Sequence, residues 1–130
     1  MSVRPSISAA EWEVMAVLWH QSPLAASEVV ERLAEHKEWK DRTIKTLLNR
    51  LVKKQAVGFT ARGKSYLYRP LVSREECVLK ESRSFAARVF GGAAGPMLVQ
   101  FVRQANLTET EIEQIKQTLN EKLSQSEKRS

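Results

Sequence analysis

Five polar side chains in the middle of this chain share one side of a helical spacing. At about 100° per residue, Arg42, Lys45, Thr46, Asn49 and Lys53 fall within an arc of about 100°. Ile44, Leu47, Leu48, Leu51 and Val52 cluster on the opposite side. A helix divided this way has an aliphatic face to bury and a donor-rich face to present. An α-helix fits the major groove of B-DNA, where Asn can make paired bonds to adenine, Arg to guanine, and Lys mainly reads charge. Thr43 and Arg50 flank the same surface, and Arg42, Thr43, Lys45 and Thr46 lie in the first turns, where a recognition helix enters a groove. A basic helical face is often merely solvated. Here, however, residues 42–54 contain no acid at all, whereas ordinary surface helices mix both signs.

Just beyond this helix the apolar period changes from helical to two. Residues 57–61 and 65–69 predict two strands, joined by the tight turn Arg62-Gly63-Lys64. Arg62 and Lys64 at the tip suit phosphate contact; an ordinary polar turn is the plainer alternative. Tyr66 and Tyr68 are expected to pack the hairpin rather than stack on bases. Charge follows the same map. The net charge is +6 with a pI near 9.7, and residues 40–64 hold eight basic residues against the single acid Asp41. Residues 1–70 carry 12 Lys/Arg against 7 Asp/Glu, and residues 71–130 carry 9 against 8. Such local basicity suits a polyanionic partner.

Two further helices must position this surface. Ser8 and Glu11 form a capping-box pattern ahead of a helix reaching about His20, with Trp12, Met15, Ala16 and Trp19 at helical spacing. A second helix is predicted from about Ala26 to Lys37, burying Ala26, Val29, Val30, Leu33 and Ala34. The third runs from about Asp41 to Lys54. Three short helices followed by a basic hairpin give the order of a winged helix-turn-helix. The fold class expected is therefore mostly α with a small β-hairpin, with a winged helix over 1–72, its core complete by Pro70, and a second helical domain over 73–130.

That second part reads as three helices. The first starts at the N-cap Ser73 and reaches about Phe90, where Gly91-Gly92-Ala93-Ala94-Gly95 breaks it as a flexible hinge. Pro96 suits the first turn of the next, which carries Met97, Leu98, Phe101 and Val102. Thr108 and Glu111 cap the last, whose apolar positions are Ile112, Ile115, Leu119 and Leu123; residues 125–130 are expected to fray. Three amphipathic helices make a poor separate core, so pairing with a second copy is expected, through Val78, Phe85, Val89, Met97, Phe101, Ile112, Ile115, Leu119 and Leu123. A membrane-lying last helix is the rival, opposed by Glu109, Glu111, Glu113 and Glu121.

Other chemistry is thin. Trp12, Trp19 and Trp39 are expected in the core. His20 and His36 lack partners at metal spacing, and the single Cys77 rules out an internal disulfide or cysteine cluster and reads as a buried thiol. No metal, cofactor or catalytic residue is expected, because no zinc-peptidase helix motif, phosphate-binding glycine loop or nucleophile elbow occurs. No apolar run approaches the ~18–20 residues that span a bilayer, so a cytoplasmic protein without membrane binding of its own is expected.

The residues Ile7-Ser8-Ala9-Ala10-Glu11-Trp12-Glu13-Val14-Met15 with Leu18-Trp19, the run from Asp41 to Lys54, Tyr66-Leu67-Tyr68 and Phe90-Gly91-Gly92 together resemble the penicillinase repressor family, the BlaI/MecI/CopY group. The likeness covers roughly residues 6 to 124. It implies a homodimer repressing promoters with dyad operators, often of β-lactamase or penicillin-binding-protein genes. For the branch linked to membrane metallopeptidase sensors it implies inactivation by cleavage before a phenylalanine of the fifth helix. The matching bond here is Gln100–Phe101, where the family pattern places Asn before the Phe. Lys122-Leu123-Ser124-Gln125-Ser126 lacks the cysteines of the copper-responsive branch. Two other classes share parts of this pattern: an architectural DNA-binding protein without marked sequence preference, and a winged helix that binds another protein.

Overall fold

Ser8 starts the first helix as its sequence predicts. Its Oγ accepts from the Glu11 N–H (3.2 Å), and the Glu11 carboxylate accepts from the Ser8 N–H (2.9 Å), so two otherwise orphaned donors are satisfied reciprocally. The computed structural model describes residues 6–129. Its elements in chain order are α1 (Ala9–His20), β1 (Leu24–Ala25), α2 (Ala26–Ala34), α3 (Asp41–Lys53), β2 (Val57–Arg62), β3 (Ser65–Pro70), α4 (Arg74–Phe90), α5 (Ala94–Gln104) and α6 (Glu109–Arg129). The chain divides into two compact units between Ser84 and Phe85.

In the first unit, Val14, Met15 and Leu18 of α1, Val29 and Leu33 of α2, and Ile44, Leu47, Leu48 and Leu51 of α3 form one buried cluster. The inward face of α1 is rotated from the expected one. Trp12 and Trp19 are half-buried at its rim, edge to face with centroids 5.3 Å apart, and Ala16 is exposed. Trp39 is also half-buried against the core. Bulky indoles occupy the border, where the ring covers apolar surface and the N–H reaches a partner; Trp19 Nε1 donates to the Val72 carbonyl (2.9 Å). The second helix ends at Ala34 rather than Lys37, and Ala34 is exposed.

The sheet has three antiparallel strands in the order β1-β3-β2. β1 escapes sequence reading because two residues carry no periodicity; it pairs Leu24 with Tyr68 and Ala25 with Leu67, tying the start of α2 to the wing. The wing turn is one residue tighter than predicted: Arg62 still belongs to β2 and faces Ser65, which leaves Gly63, at φ +63°, and Lys64 to make the turn. That left-handed backbone at the first turn position favours glycine. At the end of α3, Gln55 takes φ 64°, and the Ala56 N–H reaches the Leu51 carbonyl (3.0 Å), a left-handed helix stop with a non-glycine residue in the glycine position.

The core of this unit does not close at Pro70. Cys77, buried as expected, belongs to the cluster, and Val72 packs against it. The first turns of α4 thus join the winged helix, and the boundary falls after Ser84, within α4, rather than between residues 72 and 73.

In the second unit, Gly91 and Gly92 both have positive φ, and the Gly92 N–H reaches the Ala86 carbonyl (2.9 Å). The break is therefore a formed helix stop instead of the flexible five-residue hinge expected, and α5 already begins at Ala94. Phe85 packs near Phe90 and Phe101, at 6.1 and 5.8 Å between centroids. Thr108 and Glu111 make the second capping box. α6 continues to Arg129, past the expected fraying point. Among the described residues, no single helix is long and apolar enough to cross a membrane.

Candidate nucleic-acid interface

Burial along α3 separates its two faces. Ile44, Leu47, Leu48 and Leu51 are buried, whereas Arg42, Thr43, Lys45, Thr46, Asn49, Arg50 and Lys53 are exposed. The aliphatic face packs on α1 and α2, which fixes the direction in which the polar face points. Among the described residues, Arg42, Lys45, Arg50 and Lys53 make no ion pair. Their charges are left to whatever binds. Thr46 is partly committed: its hydroxyl donates to the Arg42 carbonyl (2.9 Å), which leaves an acceptor and a methyl group facing outward.

Lys54 is different. Its ammonium donates to the Glu11 carboxylate and to the Ser6 carbonyl (2.9 Å), so it anchors the C-terminal end of α3 to the start of α1. Glu11 is only 1% exposed. Burial pushes its carboxyl pKa up, but the hydrogen bonds from Lys54 and Ser8 and the Lys54 charge outweigh this and hold it below its ordinary value. The sequence marks Glu11 only as a cap. Its place within the Val14, Met15 and Leu18 spacing is the signal that this carboxylate is also buried.

The wing extends the basic surface. Arg62 and Lys64 are exposed at its tip. Arg69 is held on the strands by a hydrogen bond from Nη1 to Thr60 Oγ1 (2.8 Å). Phe59 and Tyr66 pack edge to face, 4.8 Å between centroids, with Tyr68 behind at 6.0 Å from Phe59. The tyrosines therefore pack the hairpin, although Tyr66 remains half-exposed.

The residues expected for self-association separate by exposure. Val89, Phe101, Ile112, Leu119 and Leu123 are exposed apolar side chains, Val78, Phe85 and Ile115 are half-buried, and Met97 is buried within the single chain. Met97 therefore packs the inside of its own chain. Gln100 is exposed near the middle of α5, next to Phe101.

Known proteins share this arrangement. The family model described as penicillinase repressor matches residues 7–121. The methicillin resistance regulatory protein MecI of Staphylococcus aureus is 34% identical over 116 residues, covering 89% of this chain and 94% of MecI. The penicillinase repressor of Bacillus licheniformis is 34% identical over 117 residues, covering 90% of this chain and 91% of its own. The solution structure of Bacillus licheniformis BlaI in monomeric form, in complex with the blaP half-operator, matches with a TM-score of 0.51 and 37% identity, covering 58% of this chain and 93% of that one. The polar face of α3 and the basic wing thus stand in a chain that belongs to the penicillinase repressor family, a family of DNA-binding transcriptional repressors and not of enzymes.

Proposed function

We propose that this chain is a sequence-specific repressor that lays α3 in the major groove and sets the wing tip on the DNA backbone. The observation that carries this reading is the unpaired, exposed set Arg42, Lys45, Asn49, Arg50 and Lys53 on a helix whose aliphatic face is buried. The BlaI relative engages a half-operator as a monomer. A full dyad then calls for two chains, with half-sites about one helical turn apart or a multiple of it. The exposed apolar side chains of the second unit are the surface through which two copies pair. The repressor works in the cytoplasm, where its DNA lies, on β-lactamase or related cell-wall-stress genes. Release follows cutting at Gln100–Phe101 through a membrane sensor metallopeptidase pathway. That cut removes α6 with Ile112, Ile115, Leu119 and Leu123, so each winged helix keeps its own grip on DNA but loses the second half-site.

The test is the double substitution Arg42→Ala/Lys45→Ala. Operator affinity should fall, and the salt slope of binding should drop by about 1 for each phosphate no longer neutralised. Where a base is no longer read, the cost should be about 1–3 kcal/mol on the specific site alone. Unchanged affinity in a folded double variant removes α3 from the interface. An architectural protein differs in its specificity ratio, because it holds random DNA as tightly as promoter DNA at fixed salt.

A further inference from the structure

Between α2, α3 and the wing lies an open cleft of about 210 Å³. Ser27, Asp41, Lys45, Ser65, Tyr66 and Tyr68 line it, beside Ala25, Ala26 and Val30. Ser27, Asp41, Lys45, Ser65 and Tyr66 are all exposed, and unlike Lys54, held by Glu11, and Trp19, held by Val72, they are open to an outside partner. Within the described residues, Ser27, Lys45, Ser65 and Tyr66 make no side-chain hydrogen bond, and neither Asp41 nor Lys45 makes an ion pair. One ammonium and four hydroxyls, those of Ser27, Ser65, Tyr66 and Tyr68, therefore line one small space from three elements, and all five can donate. An ammonium with hydroxyl donors around it suits an oxyanion. Lys45 also belongs to the exposed face of α3, so the cleft opens onto the surface already assigned to DNA.

We propose that this cleft seats a single backbone phosphate of the duplex, held by Lys45 from α3, Ser27 from α2, and Ser65 and Tyr66 from the wing. The seat adds Ser27, Ser65 and Tyr66 to the interface and ties the tip end of the wing to α2 and α3 through the DNA. It links the wing and the recognition helix through one phosphate group, which fixes the register of the protein on the duplex without reading sequence. Asp41 at the rim has the opposite role. Its carboxylate repels a phosphate seated beside it and lowers non-specific affinity. The phosphate seat rests on the DNA-binding reading above and adds two effects of opposite sign to it.

The experiment uses the full chain and a mixed-sequence 30-base-pair duplex, titrated at fixed salt, with circular dichroism to confirm folding. Tyr66→Phe keeps the ring packed on Phe59 and removes only the hydroxyl; it should weaken binding by about 3- to 10-fold, as should Ser27→Ala. Asp41→Asn should tighten binding by several-fold and leave the sequence preference unchanged. On a duplex carrying the operator, which fixes the register, a neutral methylphosphonate scanned along one strand should show one position where Tyr66→Phe no longer matters. Arg42→Ala, outside the cleft, separates the two readings. If Arg42→Ala weakens binding while Tyr66→Phe, Ser27→Ala and Asp41→Asn leave it unchanged, the phosphate seat is wrong and the DNA-binding face stands. If Arg42→Ala also has no effect, both are wrong.

Discussion

The two units of this chain treat apolar side chains in opposite ways. Among the described residues, the unit ending at Ser84 holds fourteen of the sixteen buried apolar side chains; the other two, Ala86 and Met97, lie beyond it. The second unit instead exposes Val89, Leu98, Val99, Phe101, Val102, Ile112, Leu119 and Leu123, with Leu119 58% and Leu123 60% exposed. Its helices are nonetheless well formed, with a glycine stop after α4 and a capping box before α6. Local signals can therefore build helices without supplying a core. The first unit can stand as a folded single copy. The second leaves much of its apolar surface open, which is what the proposed pairing of two copies would cover.

The contrast breaks most sharply at α6. On the proposed pairing, replacing Ile115 and Leu119 together by Asp places two charges where a second copy packs, at a desolvation cost that such a surface cannot absorb. The expected outcome is a monomer with an unchanged winged helix. Affinity for a full dyad should fall by about 10²- to 10⁴-fold, because the second half-site is no longer tethered to the first. Light scattering and operator titration on the same sample check both. A wild-type mass of one chain at micromolar concentration, or a double variant that stays dimeric, contradicts the difference between the units.

Within the first unit, the Glu11–Lys54 pair tests how firmly α3 is held to α1. Glu11 is buried and Lys54 is not, so the two single substitutions should be unequal. Lys54→Met leaves a buried carboxylate uncompensated and should destabilise the unit by about 3 kcal/mol or more. Glu11→Gln leaves an ammonium that water can reach, and should cost about 1–2 kcal/mol. The folded pKa of Glu11 lies below its ordinary value of 4.5. Its ionised form thus contributes stability that is fully present above that ordinary value and is lost as pH falls through the folded one. Glu11→Gln should flatten this part of the acid limb. Lys54→Met should move it to higher pH, because the hydrogen bond and charge of Lys54 that lower the carboxyl are then gone. Chemical denaturation at several pH values reads both shifts, and equal costs for the two variants contradict the anchoring role.

What the sequence makes legible follows the same division. The third helix is readable to within a residue at its C-terminal end, because five aliphatic residues and five polar ones occupy opposite arcs. The wing is readable because Gly63 sits between two alternating runs. The face of α1 is misjudged when its tryptophans are followed. Their size pulls the expected stripe toward Trp12 and Trp19, whereas the smaller Val14 and Leu18 fill the interior and the indoles seal its rim. β1 is invisible, since two residues acquire a strand identity only by pairing with Tyr68 and Leu67 far along the chain. The cleft beside Lys45 is equally hidden, because Ser27 and Tyr66 meet only after the sheet forms. The expected boundary at residue 72 misses the first turns of α4, where Cys77 joins the first core.

The smallest effect concerns the stop after α3. Gln55 lies in the left-handed region at φ 64° while its N–H reaches Val52 and the Ala56 N–H reaches Leu51. For an L-residue with a full side chain this conformation is costly, by about 1–2 kcal/mol per residue. Glycine adopts it freely but loses more freedom on folding, by roughly 0.5–1 kcal/mol. The two terms partly cancel, so Gln55→Gly should stabilise the first unit by no more than about 1 kcal/mol. Gln55→Val should destabilise it instead, because a β-branched side chain is poorly tolerated at positive φ. The hydrogen bonds that end α3 involve backbone alone, so Gln55→Gly should leave the exposed face of α3 where it is. Urea midpoints for the two variants, taken with duplex titrations, separate the possibilities. A stabilised Gln55→Gly with undiminished DNA affinity shows that the stop serves the fold. A stabilised variant with weakened DNA affinity shows that the strained residue also sets the pose of the recognition helix.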